Sequence, residues 1–274
     1  MKYIYWILGL FVVGCNQPKI QNTNQLEDKF SKNELKIAKN SRFRVVHVFV
    51  ALCDNEHQGI QKVPPKIGNG KDAENNLFWG CDFGTKTFLR KHKDWQLVQT
   101  LQNPKDKVLE RCFFKHKTAD VLLVADAYDG EFIKKCTSDF LQSCSGNFTD
   151  AFVFNKDTIA CGGSADLFSY IGHDGLMEFR LDDKLSPQDT QKREAIILAC
   201  ISKSYFAPYL AKTGATPLVW TTGLMAPEAY TLVAAIDGWI LKKDKATIRE
   251  ASAQAYHQYQ KCGIKAARNL LVAE

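Results

Sequence analysis

The sequence lacks the features that would direct it to nucleic acid or to a metal ion. Its 36 lysines and arginines, with a formal net charge of +6, are scattered over 274 residues, whereas nucleic-acid binding needs them clustered. No set of cysteines and histidines has the spacing of a zinc site, and no segment is repeated as in a solenoid. We therefore expect no nucleic-acid partner, no metal and no other cofactor.

The sequence also lacks an apolar run long enough to cross a bilayer. Its first run, Ile4–Val13, follows Lys2 and is about ten residues long, roughly half of what a spanning helix needs. A positive residue, a short apolar segment and then a small residue are typical of a secretory signal. The block Val12-Val13-Gly14-Cys15 resembles a bacterial lipobox, in which the chain is cut before the Cys and the sulfur is acylated.

This arrangement predicts three segments. Residues 1–14 are expected to be a lipoprotein signal peptide and residues 42–274 one folded domain. Residues 15–41 are expected to be a flexible tether, because they are polar and rich in Asn, Gln and Lys. A lipid on Cys15 would hold the protein on a membrane of the bacterial cell envelope, and Asn16 favours the outer membrane over the inner one. The alternative is an ordinary signal peptide with a chance cysteine after it.

Nine cysteines are many for a cytosolic enzyme and usual for an exported protein. If Cys15 is acylated and one thiol is kept as a nucleophile, an odd number remains, so at least one more is unpaired. Cys136 and Cys144 lie on one predicted helix, about 12 Å apart along its axis, and cannot pair there. The sequence leaves the pairing of the others open.

Apolar, β-rich runs alternate with helical segments after residue 42. The run Arg44–Leu52 is nearly continuous, which predicts a buried and central strand. Further strands are predicted at 96–101, 108–115, 120–127, 167–171, 195–199 and 215–222. Helices are predicted at 76–91, 131–141, 202–211, 227–241 and 245–271, the last broken near Gly263, and a Cys/Gly/Ser-rich loop leads to Cys161. The alternation indicates an α/β fold whose mostly parallel sheet is covered on both faces.

Two of the predicted strands stop at a reactive side chain. Gly172-His173-Asp174-Gly175 follows the strand at 167–171, and Cys200 follows the strand at 195–199. Catalytic groups of open α/β sheets lie just past the carboxyl ends of strands. If the two strands are neighbours, the imidazole accepts the thiol proton and the thiolate becomes a nucleophile. We expect Gly172 and Gly175 to leave backbone amides free for an oxyanion.

These two blocks carry a resemblance to a known family. A strand that ends in His-Gly, followed later by a strand that ends in Ala-Cys, resembles the caspase-like cysteine peptidases of the gingipain and clostripain type. The resemblance implies a three-layer α/β/α sandwich with a mostly parallel central sheet, His173 as the base and Cys200 as the nucleophile. The chain departs from the family pattern at Asp174, which stands between the His and the Gly.

A second resemblance covers more of the chain. The sequence is similar to a group of bacterial lipoproteins that share short blocks, which here are residues 51–55, 58–60, 67–70, 75–80 and 221–232. This second resemblance implies no activity.

Other strand-end residues give a rival site. Cys53 and His57 follow the first strand and form a second Cys/His pair, while Cys53, Asp54 and Asp126 are also expected to line the same pocket as Cys200. The two carboxylates are either solvated turn residues or groups that bind a cation or orient His173. Residues 58–76 hold several Gly and Pro residues and form a long loop, and such loops are usually functional.

The sequence leaves two functions open. The first is an envelope-anchored cysteine hydrolase, a peptidase by resemblance, in which Cys200 attacks a peptide substrate to give a thioester. His173 then protonates the leaving amine and activates water. The alternative is a non-catalytic caspase-like lipoprotein, whose loop 58–76 and strand-end pocket hold a ligand or a partner. Thiol reactivity separates the two, because a catalytic cysteine is reactive and a structural one is inert.

We predict that the mature chain begins at an acylated Cys15, because the lipobox-like block follows an apolar segment. Mass spectrometry of the N-terminal peptide, after expression in a bacterium, should find residues 1–14 removed and a lipid mass on Cys15. The matched variant Cys15→Ala should keep residues 1–14 and remain without lipid. An unmodified Cys15 in the wild type, or cleavage at another position, would contradict the prediction.

Overall fold

Ten strands lie in the part of the chain that the computed structural model describes, residues 42–273. They are β1 (Arg44–Ala51), β2 (Trp95–Lys105), β3 (Val108–His116), β4 (Val121–Tyr128), β5 (Thr149–Phe154), β6 (Asp157–Gly162), β7 (Leu167–Ile171), β8 (Glu194–Leu198), β9 (Thr216–Thr221) and β10 (Leu271–Val272). The predicted signal peptide, the tether and Cys15 lie outside the described residues.

Eight of these strands form the main sheet, in the order β10-β9-β8-β7-β1-β4-β3-β2. The five strands from β9 to β4 are parallel, whereas β10, β3 and β2 are added antiparallel at the two edges. Strand β1 is central and is buried at all but its first residue. Its continuous apolar sequence explains this place, because a central parallel strand has no solvent face. The predicted α/β fold with a mostly parallel sheet is confirmed.

Helices cover both faces of the sheet, as the alternation of elements predicts. They are α1 (Thr85–Lys91), α2 (Ile133–Ser145), α3 (Ser202–Thr213), α4 (Ala229–Ile240), α5 (Lys245–Gln260) and α6 (Ile264–Leu270). One apolar core joins Val46, Val48 and Val50 of β1 to residues of α1, α4 and α5. A second core joins Val45 and Phe49 to residues of α2 and α3. Side chains alternate along a strand, so β1 contributes to both cores of a three-layer arrangement.

The helix predicted from residue 76 is wrong over its first half, since α1 begins only at Thr85. Asn76 does not cap a helix. Its side-chain oxygen accepts from Cys53 N at 3.0 Å, and its amide donates to Cys53 O at 2.9 Å. These bonds tie the loop to the chain just past β1. A Cβ on Gly80 or Gly84 would collide with backbone atoms, so both glycines serve a tightly folded turn rather than a helix face.

The Cys/Gly/Ser-rich loop predicted before Cys161 is also wrong over much of its length, because β5 and β6 form an antiparallel hairpin there. Partly buried ion pairs attach the hairpin to the main sheet. Arg111 of β3 binds Asp150 at 2.5 Å and Asp126 at 2.6 Å, and Lys105 binds Asp150 at 2.9 Å. An arginine that bridges two carboxylates orients the hairpin as well as neutralising the charges.

His47, Asp126 and Asp150 place ligand atoms within 4.8 Å of one another, which is the arrangement of a metal site. The contacts favour an ion-pair network instead. Arg111 and Lys105 already neutralise both carboxylates, and His47 Nδ1 accepts from Gly162 N at 3.0 Å. A divalent cation would have to displace Arg111 and Lys105 from this cluster.

We predict that the ion pairs of Asp150 make the free energy of unfolding depend on pH. Burial raises the pKa of Asp150, but Lys105 and Arg111 outweigh it and lower the pKa to about 2. The interaction of Asp150 with Lys105 and Arg111 therefore stabilises the fold fully above the unfolded pKa of about 3.9. This stabilisation is lost as pH falls through about 2. Asp150→Asn should cost about 3 kcal/mol at pH 7 and flatten the pH dependence between pH 4 and 2.

Urea unfolding at pH 7 and at pH 2 measures both effects. The matched control is Asp157→Asn, because Asp157 lies in the same hairpin but is exposed, so its cost should stay within about 0.5 kcal/mol. Equal losses for the two variants would contradict a role for the buried pair.

Candidate functional site

Strands β7 and β8 are adjacent and parallel, with Ile171 opposite Leu198. Gly172 N donates to Leu198 O at 3.3 Å, so the pairing continues one step beyond the last residue of β7. His173 and Cys200 come two residues after Ile171 and Leu198 and therefore stand level at one edge of the sheet. Both line the same cavity, which has a volume of about 430 Å³.

Cys200 occupies a sharp turn from strand to helix. Ile201, which follows it, has φ of +51° and precedes the first residue of α3. A β-branched residue in this left-handed region is strained, and such strain persists only where the surroundings enforce it. Ile201 N donates to Gly223 O at 2.9 Å, which helps to hold the turn. Cys200 is half-buried in the cavity wall.

Ser202 and Thr221, both buried, fix this turn to β9. Ser202 N donates to Thr221 Oγ1 at 3.1 Å, and Thr221 N donates to Ser202 Oγ at 3.0 Å. The Ser202 hydroxyl donates to Ile197 O at 2.9 Å, and the Thr221 hydroxyl donates to Ala199 O. The two side chains thus bond the backbone on both sides of Cys200, and they account for the strained conformation.

The thiol of Cys200 rests against the backbone of Met225. Its sulfur lies 3.4 Å from Met225 N and 3.6 Å from Met225 O. Within residues 42–273, no hydrogen bond joins this thiol to His173. The thiol and the imidazole therefore line one cavity without a hydrogen bond between them. Catalytic hydrogen bonds are often long in the absence of substrate.

The His173 ring is held by a carboxylate that the sequence analysis missed. His173 Nε2 lies 2.6 Å from Glu178 Oε1, and the same oxygen accepts from Gly59 N at 2.7 Å. Because a carboxylate only accepts, Nε2 carries the hydrogen and Nδ1 is left as an acceptor. The sequence does place Glu178 five residues after His173, and this spacing was the signal from which the contact could have been predicted. Only the turn between them, Gly175–Met177, brings it back to the ring.

Asp174, where the chain departs from the family pattern, closes that turn. Its Oδ1 accepts from Leu176 N at 3.1 Å, whereas its Oδ2 is buried and has no hydrogen-bond partner. Burial raises the pKa of Asp174 to about 7. Asp174 therefore supports the turn that carries Glu178 to His173.

The expectation that Gly172 and Gly175 supply free amides is wrong. Gly172 N bonds Leu198 O, and Gly175 N bonds His173 O at 3.1 Å. Gly172 and Gly175 are glycines because the surrounding packing leaves no room for a side chain. At Gly172, φ is +147° and a Cβ would lie 2.8 Å from Ala51 O, and at Gly175 a Cβ would strike the Phe179 ring. The Cys200 amide, by contrast, has no acceptor among the described residues.

The rival pair of Cys53 and His57 is not assembled. Cys53 lies in the wall of the same cavity as Cys200, but it is fully buried, and burial raises the pKa of its thiol to about 12. His57 instead bonds Asp54, with 2.9 Å between Nδ1 and Oδ2. Asp54 and His57 both line a neighbouring, more polar cavity of about 500 Å³, so the predicted place of Asp54 in the Cys200 pocket is wrong.

Asp126 does not reach either cavity, so its predicted place in the pocket is wrong. It is fully buried, and Arg111 and His47 bind its carboxylate. The residues on either side of it, Ala125 and Ala127, belong to the core that contains Cys53, so the alternation of β4 directs Asp126 to the opposite face. The sequence shows that Asp126 is near a strand end but not which face it takes.

Comparison with known proteins gives no identity. No protein-family description, no curated protein and no solved structure matches the chain. Within the described range, no helix has the length and apolar character of a membrane span. The eight cysteines of that range are free thiols, including Cys136 and Cys144 of α2.

We predict that Thr221→Val destabilises the turn at Cys200. Valine keeps the shape of threonine but removes the hydroxyl, which leaves Ser202 N and Ala199 O without their buried partner. The expected loss is about 1–3 kcal/mol in the free energy of unfolding, measured with urea. The neighbouring Thr222→Val is the control, because the Thr222 side chain bonds only exposed backbone. A cost for Thr221→Val no larger than for Thr222→Val would contradict the assigned role.

Proposed function

We propose that the protein is a cysteine hydrolase with a caspase-like fold that cleaves peptide bonds, with Cys200 as the nucleophile and His173 as the base. The observation that carries the proposal is the juxtaposition of these two side chains. They stand level at the ends of adjacent parallel strands and line one cavity. The same edge of an open α/β sheet is where catalytic groups collect.

Three further features support a catalytic site rather than a structural thiol. The turn at Ile201 is strained and is enforced by buried hydrogen bonds. The His173 ring is oriented by Glu178. The order of the parallel strands reverses beside β1, with β4 on one side and β7, β8 and β9 on the other, and ligands of open α/β sheets bind at such a point.

The reaction follows from these positions. His173 Nδ1 takes the proton of the Cys200 thiol, and the sulfur forms a bond to the carbonyl carbon. The oxyanion accepts a hydrogen bond from the Cys200 amide. The carbon–nitrogen bond then breaks as the imidazolium gives its proton to the leaving amine, and a thioester remains. His173 next deprotonates a water that attacks the thioester and returns the thiol.

Glu178 is a positioning residue in this scheme. Its carboxylate fixes the ring orientation and stabilises the imidazolium that forms in the first step. In this scheme the thiol leaves the Met225 backbone to meet His173. We place the domain at the bacterial cell envelope, held by a lipid on Cys15. That assignment rests on the sequence signal alone.

One observation favours the second candidate, a non-catalytic binding lipoprotein. The Cys200 sulfur already has two polar contacts with Met225, and the cavity around it is largely apolar. In that case the thiol is a wall residue and the cavity is a ligand site. Thiol reactivity separates the two functions.

We predict that iodoacetamide at pH 7 alkylates Cys200 faster than the exposed Cys262, as measured by peptide mass spectrometry. His173→Ala removes the proton acceptor and should slow Cys200 alkylation about tenfold or more. Cys200→Ala should abolish hydrolysis of a fluorogenic peptide library. Cys53→Ala is the matched control and should leave both readouts largely unchanged, because the Cys53 thiol is buried and stays protonated. If native Cys200 reacts no faster than Cys262, the binding function replaces the enzyme.

A further inference from the structure

The cavity that contains Cys200 has a markedly apolar wall. The side chains that form most of it come from the loop 59–63, from the turn before α1 and from the segment that leads into α4. They are Ile60, Val63, Leu77, Phe78, Met225 and Pro227. Such a wall stabilises an occupant by removing apolar surface from water, and it offers few hydrogen bonds to a polar one.

Few charged groups line the cavity. No lysine or arginine is among the described residues that line it, so an acidic side chain would be buried unpaired. Glu228 is the carboxylate in the wall, and it accepts from Tyr230 OH at 2.7 Å and from Gln260 at 3.1 Å. Glu178 is bound to His173 and Gly59. Both bonds to Glu228 end on its Oε2, and both bonds to Glu178 end on its Oε1, so each carboxylate already holds two hydrogen-bond donors.

Large apolar side chains at this cavity are also exposed to solvent. Leu224 is 74% exposed and Met177 is 39% exposed, and both line it. Exposed apolar groups next to a concave site are usual where a partner covers them. A peptide that placed an apolar side chain in the cavity would cover both residues.

We propose that the cavity binds an uncharged apolar side chain, of the leucine, methionine or norleucine type, on the acyl side of the bond that Cys200 attacks. This inference rests on the proposed function and deepens it, because it names the substrate class. The acyl residue stays attached to the sulfur in the thioester, so its side chain is the one that occupies the cavity around Cys200. An acidic residue is rejected, since no lysine or arginine is among the described residues that line the cavity, and a basic residue is disfavoured because its ammonium would lose water to a largely apolar wall.

The test uses acyloxymethyl ketone peptide probes that differ only in the residue before the reactive group. Norleucine and lysine have the same stem and differ by the terminal ammonium, and aspartate supplies the opposite charge. Labelling of Cys200, followed by mass spectrometry, should be about 100-fold faster with norleucine than with lysine or aspartate. Faster labelling with lysine or aspartate would overturn the inference.

A charge placed in the wall should change the preference. Leu77→Asp should lower the norleucine-to-lysine ratio at least tenfold, because the new carboxylate pairs with the ammonium. Leu241→Asp is the matched control, since Leu241 is 66% exposed at the end of α4 and does not line the cavity. It should keep the wild-type ratio. An unchanged ratio in Leu77→Asp would show that the residue binds elsewhere and would overturn the inference.

Failure of the proposed function has a different signature. If neither iodoacetamide nor any probe reacts with Cys200, the hydrolase is wrong, and the cavity is then tested by binding alone. Cys200→Ser protein is titrated with tetrapeptide amides that end in norleucine or lysine, followed by NMR. Tighter binding of the norleucine peptide supports the apolar specificity without catalysis. Equal or tighter binding of the lysine peptide overturns it.

Discussion

The arrangement of the site depends on the hydrogen bonds between Ser202 and Thr221. Strand β8 must turn into α3 within a few residues, and Ile201 adopts a left-handed conformation that its β-branched side chain opposes. The two buried hydroxyls bond the backbone before and after Cys200 and so hold the strained turn. Without them, the chain would relax at Ile201 and the sulfur would leave the wall that it shares with His173.

The rest of the molecule supplies the frame for that turn. The parallel pairing of β7 with β8 sets His173 level with Cys200. Glu178 links His173 to Gly59 and thereby ties the long loop 58–76 to the same edge of the sheet. Arg111 and Lys105 bind the carboxylates of Asp126 and Asp150 under the β5–β6 hairpin, away from this edge. The cavity is left apolar, with one imidazole and one half-buried thiol as its reactive groups.

Much of the fold can be predicted from the sequence, and the exceptions have a common cause. Long apolar runs such as β1 have no solvent face, so their type and extent follow from local composition. The β5–β6 hairpin was missed because ion pairs to Arg111 and Lys105, distant in the chain, hold it in place. The first half of the predicted helix at 76–91 was lost for a similar reason, since Asn76 bonds Cys53 instead of capping a helix.

The sequence by itself determined most of the strands and helices and placed His173 and Cys200 just past strand ends, because periodicity and strand-breaking residues are local. Only the tertiary structure decided that β7 and β8 are neighbours, that Glu178 orients His173, and that the amides of Gly172 and Gly175 are already bonded. It also decided that Cys53 lies in the cavity wall and that Asp126 lies in a buried ion pair. Each of these depends on partners far away in the chain, which no local pattern specifies.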